Sequence, residues 1–310
     1  MERALFLEKY SIRPEEFERA GLSWEELLAI RDDHRRNQDR LEAAARYVSD
    51  RLGTVEEVHS IKTRIKDPEH LIEKIIRKRL EDPTLVLDRE TYRFVITDLA
   101  GVRALHLFKE DWEKIHEFII HTWELRRNPV ANVCEDDHDR FVKRFKERGC
   151  EIHKHPFGYR SVHYLVSFAP SKVEFTTVEI QVRTILEEAW SEIDHMIRYP
   201  YRADKTALSP YLVFLNRLLG NADEMGSFIK LLNDNISGKS RDRYTRDWKN
   251  RSPIHYLKRD VDGLPVEMNI KRLLQERIQS LEKHLLSLKT MPSYDSVTEA
   301  FSSPHTGTPS

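Results

Sequence analysis

The sequence predicts an α+β protein, a mixed β-sheet flanked by helices with helical extensions before and after it. Two observations carry that expectation. Toward both ends of the chain apolar residues recur every three or four positions, the helical period, whereas short runs between about 94 and 182 alternate apolar with polar residues, the period of a strand. Helical segments also fall between and after those runs, which suits layers of sheet and helix. At 310 residues the chain is long enough for one sizeable core with appendages, or for two domains.

The elements follow in order. A short helix is expected between Pro14 and Gly21. Ser23-Trp24-Glu25-Glu26 has the capping-box spacing and opens a periodic stretch through Leu27, Leu28, Ile30, Leu41, Ala44, Tyr47 and Val48 that closes at Gly53, so one long helix is predicted there. Asp67-Pro68 supplies an N-cap with proline at the first helical position, and Leu71, Ile72, Ile75, Ile76 and Leu80 form the buried side of a helix ending near Asp82-Pro83. Strands are expected at 102–108, 161–168 and 173–182, with helices at about 111–122 and 186–198. Beyond Pro200 the pattern is helical through 211–215 and again over 228–236, and 237–253 reads as a mobile link. A last amphipathic helix over 268–288 carries Ile270, Leu273, Leu274, Ile278, Leu281, Leu285 and Leu288, a seam for its own domain or for a second copy of the chain. The Ser-, Thr- and Pro-rich tail after Thr290 is expected to be disordered. The resulting division is 1–54, 55–205, 206–290 and 291–310.

Composition removes several function classes. Charged residues make up 33% and hydrophobic residues 39%, and no apolar run approaches the roughly 18 to 20 residues that span a bilayer. The first ten residues mix acids with bases and hold too short an apolar stretch for a secretory signal, so a cytoplasmic protein is expected. Cys134 and Cys150 are not in CxxC spacing and lack a His/Cys cluster, which argues against a disulfide framework and a zinc site. The net charge of −1 argues against bulk attachment to nucleic acid and leaves local patches to decide.

The residues that carry chemistry form four groups. Lys62, Arg64 and Lys66 precede Lys74 and Arg77, which sit three apart on one helix face; converging cations at a helix start suit a polyphosphate. Asp98-Leu99-Ala100-Gly101-Val102-Arg103 sets an acid at a strand entrance, then a glycine that lets a ligand approach the backbone, then an arginine able to stack on a base. Lys143, Arg144, Lys146, Arg148 and Lys154 lead to Gly158-Tyr159-Arg160-Ser161-Val162-His163, a turn offering Tyr159 as a ring, with His163 on the same strand face as Ser161. In Val178-Glu179-Ile180-Gln181-Val182-Arg183-Thr184 one strand face is apolar and the other carries a carboxylate, an amide and a guanidinium. A solvated strand has the same pattern, so the neighbours decide. Magnesium typically takes one or two carboxylates and fills its other positions with water and phosphate oxygens, and Asp98 with Glu179 meets that need. No role is assigned to His153, His155 or His195.

The ordered set Arg64-x-Lys66, Lys74/Arg77, Asp98-Leu-Ala-Gly101-x-Arg103, Gly158-Tyr159-Arg160-Ser161-x-His163 and Glu179-Ile-Gln181-x-Arg183-Thr184 resembles the synthetase domain of the RelA/SpoT alarmone family, and its single-domain small synthetases most closely. The likeness spans roughly 55 to 200. It implies a nucleotidyltransferase-like synthetase domain that moves the β,γ-pyrophosphate of ATP to the 3′-hydroxyl of GDP or GTP, giving (p)ppGpp and AMP. By the same resemblance Arg64 and Arg103 sandwich the adenine, with Lys66, Lys74 and Arg77 also on the ATP side. Asp98 and Glu179 hold Mg2+, and Glu179 receives the hydroxyl proton. Tyr159 stacks on the acceptor base, and Lys154, Arg160, His163, Gln181 and Arg183 complete the acceptor side.

The chain departs from the family pattern in two places. Phe157 stands where asparagine is common, and Glu187 and Glu188 follow Arg183 where many small members have an Asn or Asp contacting the acceptor. The sequence before the block lacks the family's His-Asp hydrolase cluster, and no regulatory domain follows the block, so a bifunctional, ribosome-tethered enzyme is not expected. Other readings stay open: a toxic member acting on the tRNA 3′-CCA end or on adenine nucleotides, with an antitoxin partner, or a catalytically silent nucleotide sensor. Association of two copies through the C-terminal helices also stays open.

Overall fold

The alternating runs meet in one sheet. In this computed structural model residues 2–134, 137, 139–168, 176–198, 208–236, 261–262 and 268–288 are described. The chain divides into two compact units, Met1–Arg241 and Asp242–Ser310.

In the first unit, helices α1 (Arg3–Lys9), α2 (Pro14–Ala20), α3 (Trp24–Arg36) and α4 (Gln38–Leu52) lead into β1 (Ser60–Ile65) and α5 (Pro68–Glu81). A short α6 (Tyr92–Val95) precedes β2 (Ala100–His106), which α7 (Trp112–Thr122) follows. Next come β3 (Val130–Val133), α8 (Asp139–Glu147), β4 (Glu151–Lys154), β5 (Ser161–Phe168), β6 (Thr176–Thr184), α9 (Ile185–Arg198) and α10 (Ser209–Ile236). The second unit contains α11 (Met268–Leu288).

The strand order is β1-β2-β6-β5-β3-β4. The pair β2/β6 is parallel, β1/β2 and β6/β5 are antiparallel, and in register Gly101 stands opposite both Arg64 and Glu179, Arg103 opposite Lys62 and Gln181, and His163 opposite Gln181. Residues paired across strands share a face. One face therefore gathers Ala100, Val102, Ala104, Val162, Tyr164, Val166, Val178, Ile180 and Val182, all buried. The helices α4 and α7 cover it. The other face carries Lys62, Arg64, Gly101, Arg103, His163, Glu179, Gln181 and Arg183, with α9 beside it.

One polar knot lies inside the apolar layer. Trp112 Nε1 donates to the Tyr164 hydroxyl at 3.0 Å, and that hydroxyl lies 3.0 Å from Nδ1 of His116, an imidazole that burial keeps neutral. Because the tryptophan can only donate, the tyrosine proton goes to His116. Tyr164→Phe is expected to strand a buried donor and a buried acceptor at once and to cost about 2–4 kcal/mol, taking 1–3 kcal/mol for each unsatisfied group with partial relaxation. Denaturant midpoints of the two proteins measure it, and a difference within error would show the knot to be idle.

Several expectations change. The long helix from 24 to 52 is two helices: the Asn37 side-chain amide donates to the Asp33 carbonyl at 2.8 Å, taking up a helix-end acceptor at the break between α3 and α4. Lys62 and Arg64 lie on the edge strand β1 instead of at a helix start, with Lys66 just after it. The strand expected at 102–108 begins and ends two residues earlier, and the two helical stretches at 211–215 and 228–236 belong to one helix, α10. The 161–168 strand and the 268–288 helix have the expected bounds. Residues 173–175, the 237–253 link and the tail from 291 lie outside the described residues.

Candidate active site

The site begins where β1 and β2 open into loops. Lys66 N–H donates to the Leu99 carbonyl at 2.9 Å, extending the β1/β2 ladder and bringing the Lys66 side chain beside Asp98. From α3, buried His34 has its Nε2 2.6 Å from the Lys66 carbonyl, which fixes the same residue from below. Asp98 Oδ2 takes two ammonium groups, Lys66 Nζ at 2.9 Å and Lys74 Nζ at 2.7 Å. Burial works to raise the Asp98 pKa, but the two lysines outweigh it and hold the carboxyl well below the usual carboxylate range. Its other oxygen, Oδ1, is buried with no hydrogen-bond partner among the described residues. A buried carboxylate oxygen left open in this way is unusual and marks a place for a ligand.

Glu179 stands on the next strand, opposite Gly101. Its Oε1 lies 3.3 Å from His163 Nδ1 and its Oε2 accepts from Gln181 Nε2 at 2.7 Å. Burial raises the Glu179 pKa and the charge of Asp98 adds to that, yet the His163 and Gln181 contacts prevail and the net shift is downward. The Gln181 amide cannot flip freely, because Arg183 Nη2 donates to its oxygen at 2.8 Å and so turns the NH2 toward Glu179. His163 reaches the other way too, with Nε2 3.0 Å from the Tyr159 hydroxyl. A proton on Nδ1 facing Glu179 and a tyrosine proton facing Nε2 satisfy both contacts. The Arg183 guanidinium lies 5.3 Å from the Tyr159 ring centroid, a cation–π distance.

Gly101 has a chemical reason to be glycine. A Cβ there would meet only the Arg64 and Glu179 carbonyl oxygens, at 3.7 and 4.0 Å, so the protein itself leaves room for a side chain. Such an atom would stand on the site face, opposite Arg64 across the β1/β2 pair and two residues before Arg103, so the missing side chain keeps that face open. Gly158 is different: its φ is +77°, and a Cβ would come within 3.1 Å of Asn216, whose amide donates to the Gly158 carbonyl at 2.8 Å.

The structure thus brings together Lys66, Lys74, Asp98, Arg103, Tyr159, His163, Glu179, Gln181 and Arg183, with Arg64 exposed at the rim. Three expected site residues stand apart. Arg77 turns to Glu73 and Glu81 on its own helix at 3.4 and 3.5 Å, while Lys74 alone reaches Asp98. Arg160 is paired with Asp137 at 2.7 Å and with Asn216, an arrangement that ties β5 to α10. Lys154 is exposed at the end of β4 and lines a separate cavity with Cys134, His155, Gly158, Asn216 and Arg217. Phe157 carries the Arg198 guanidinium 4.0 Å from its ring centroid, and Asp194 holds Arg198 at 2.6 Å, so the last turn of α9 clasps the 155–159 turn. Sequence reasoning gave no signal for His34, Asn216 or Asp137, because their partners are backbone groups or residues far along the chain.

The two carboxylates fit a magnesium ion. Asp98 has an open buried oxygen beside two lysine ammonium groups, and Glu179 is held ionised on β6 by His163 and Gln181. Among the described residues no group of three or more His, Cys, Asp and Glu gathers as a metal site, and magnesium does not need one. No helix among the described residues is long and apolar enough to cross a membrane.

Residues 63–204 match the family described as the region found in RelA/SpoT proteins. GTP pyrophosphokinase YwaC of Bacillus subtilis (strain 168) is 29% identical over 150 residues, 47% of this chain and 61% of that protein. GTP pyrophosphokinase YjbM of the same strain is 27% identical over 141 residues, 44% of this chain and 55% of that protein. The chain therefore spans somewhat over half the length of these two relatives. Small alarmone synthetase 1 from Bacillus subtilis, a solved structure, is 19% identical, with 66% of this chain and 99% of that chain covered at a TM-score of 0.49. The matched stretch, residues 63–204, holds both carboxylates and the cations of the site, and it is this part of the chain that is similar to the region found in RelA/SpoT proteins.

Proposed function

We propose that this protein transfers the β,γ-pyrophosphate of ATP to the 3′-hydroxyl of GDP or GTP, forming (p)ppGpp and AMP. The observation that carries the reading is the pair Asp98, in the turn that leads into β2, and Glu179, on the adjoining parallel strand β6, both held ionised beside a face rich in cations. Phosphoryl-type transfer needs little covalent chemistry from a protein; positioning and charge neutralisation do most of the work. The face kept open at Gly101, with Arg64 opposite and Arg103 two residues on, takes the adenine, since guanidinium planes stack on aromatic rings. Lys66 and Lys74 set the charge balance where the polyphosphate lies. Tyr159, braced by Arg183 on one side, offers its ring to the guanine. Asp98 and Glu179 would hold Mg2+, which when bound neutralises phosphate oxygens. The acceptor 3′-oxygen attacks the β-phosphorus, the bond from that phosphorus to the oxygen bridging to the α-phosphate breaks, and AMP leaves with that oxygen. The hydroxyl proton goes to Glu179, which the His163 N–H at 3.3 Å holds in position.

The basic run proposed for an RNA acceptor is largely neutralised within the fold. Lys143 pairs with Glu147, Arg144 with Glu113, and Arg148 with Glu113 and Glu117. That supports a small nucleotide acceptor over tRNA. The test is to incubate the protein with Mg2+ and γ-labelled ATP and to offer GDP, GTP, ATP alone and bulk tRNA separately. Label on the guanosine nucleotide with AMP release is the expected result. Label on tRNA or an adenine nucleotide would move the acceptor assignment, and ATP binding without transfer would make the protein a sensor.

A further inference from the structure

We infer that Glu188, in the first turn of α9, is a positioning residue that sets the ATP-side guanidinium of Arg103 from beneath the site; the inference rests on the ATP site proposed above. Glu188 is only 4% exposed. Its Oε1 lies 2.9 Å from Arg103 Nη1 and 3.3 Å from Lys62 Nζ, and its Oε2 lies 3.1 Å from Arg183 Nε. One buried carboxylate thus gathers cations from β1, β2 and β6, all on the site face. Glu192, one turn later, holds Arg103 from the solvent side.

The chemistry of a guanidinium makes this arrangement useful. Its N–H bonds lie in its plane, so carboxylates that accept from them grip the edge and leave both flat faces open for stacking. An arginine free of such partners would sample many rotamers and lose that order on binding. Glu188 also supplies the counter-charge that permits Arg183, 2% exposed, to stay buried beside Tyr159 and to orient Gln181. The same residue therefore braces the donor slot and the strand that carries Glu179. A carboxylate serves here where an amide would not: Asn or Gln offers one neutral acceptor oxygen, whereas three cations converge on Glu188.

Calorimetric titration with a non-hydrolysable ATP analogue tests the inference. Glu188→Gln is expected to weaken binding about tenfold, in line with the loss of an ordered cation–ring stack, and to raise the KM for ATP by the same factor while kcat falls less than about threefold. Glu188→Asp keeps the charge that Arg183 needs but shortens the reach to Arg103, so it should weaken the analogue several-fold while lowering Tm less than Glu188→Gln does. In an Arg103→Ala background, Glu188→Asp should add less than about twofold, because residues acting through one another are not additive. Unchanged affinity in Glu188→Asp, or an equal loss with and without Arg103, would overturn the inference and leave Glu188 as a structural counter-ion whose variants move Tm alone. Absence of analogue binding by the unaltered protein would instead remove the proposed function, and with it this reading.

Discussion

Asp98→Asn is expected to lose transfer by about a thousandfold and also to weaken the fold. Charge stabilisation of several kcal/mol is at stake where carboxylate, cations and metal meet polyphosphate, and each 1.4 kcal/mol is about tenfold in rate. The stability effect follows from the same contacts. Lys66 is 7% exposed, and burial already pulls its pKa down against the charge of Asp98. Removing the carboxylate leaves a buried ammonium facing a second one on Lys74, and breaking a buried pair by one partner typically costs about 3–5 kcal/mol. The pH dependence has a definite sign: the Asp98 pKa is depressed in the folded protein, so its contribution is fully present above the unfolded value near 3.9 and fades as pH falls below it. The gap in stability between the two proteins should thus be wide at neutral pH and narrow in acid. Pairing Asp98→Asn with Lys66→Met separates the two effects, because the double variant has no stranded buried charge from Lys66. It should recover much of the lost Tm and none of the activity. Full transfer by Asp98→Asn, assayed below its Tm, would remove Asp98 from the reaction.

What the sequence made legible divides along physical lines. Strict alternation in 178–184 identified β6 and the face it presents, since a period of two survives any tertiary context that buries one face. The 161–168 strand and the Asp67-Pro68 helix start were equally readable, the latter because the Asp67 carboxylate caps the amides of Glu69 and His70. The strands β3 and β4 were not, as four residues are too few to show a period. In β1 the alternation of Ile61, Thr63 and Ile65 was present, but Lys62, Arg64 and Lys66 between them read as charge ahead of a helix. An edge strand can carry such charges without penalty, and inward or rim charges also keep it from pairing with other chains. At the site, the residue types were readable and their bonding was not. Arg160 looks like a ligand contact in its motif, yet its partners come from residue 137 and from α10, far along the chain. Glu188 stood out only as a departure from the family pattern; three strands had to converge before its bonding made sense.

Glu179→Gln is expected to reduce kcat by about a hundred- to ten-thousandfold, the usual range for removal of a group that takes the proton in the rate-limiting step. The substitution is nearly isosteric and His163 can still donate to the amide oxygen, but the new NH2 then faces the Gln181 NH2, so Tm should fall modestly. Nucleotide binding should also survive, because the adenine slot and Tyr159 do not depend on the Glu179 charge. The expected signature is therefore a collapse of kcat with little change in KM for the acceptor. The depressed pKa sharpens the argument. A carboxylate held below its usual range is a good place for a cation but a weak base, so it can take a proton from a hydroxyl only as the phosphorus–oxygen bond forms, and it must hand that proton on. His163, whose Nδ1–H faces Glu179 and whose Nε2 accepts from the Tyr159 hydroxyl, holds the carboxylate in position, and the proton passes on to solvent. His163→Gln should then lower kcat less than Glu179→Gln does, by about tenfold to a hundredfold, since it removes the group that orients the base and leaves the base itself. Rapid-quench measurement of a single turnover separates this from product release. If Glu179→Gln turned over within a few fold of the unaltered protein, the proton would have to leave by another route and the site would need a different base.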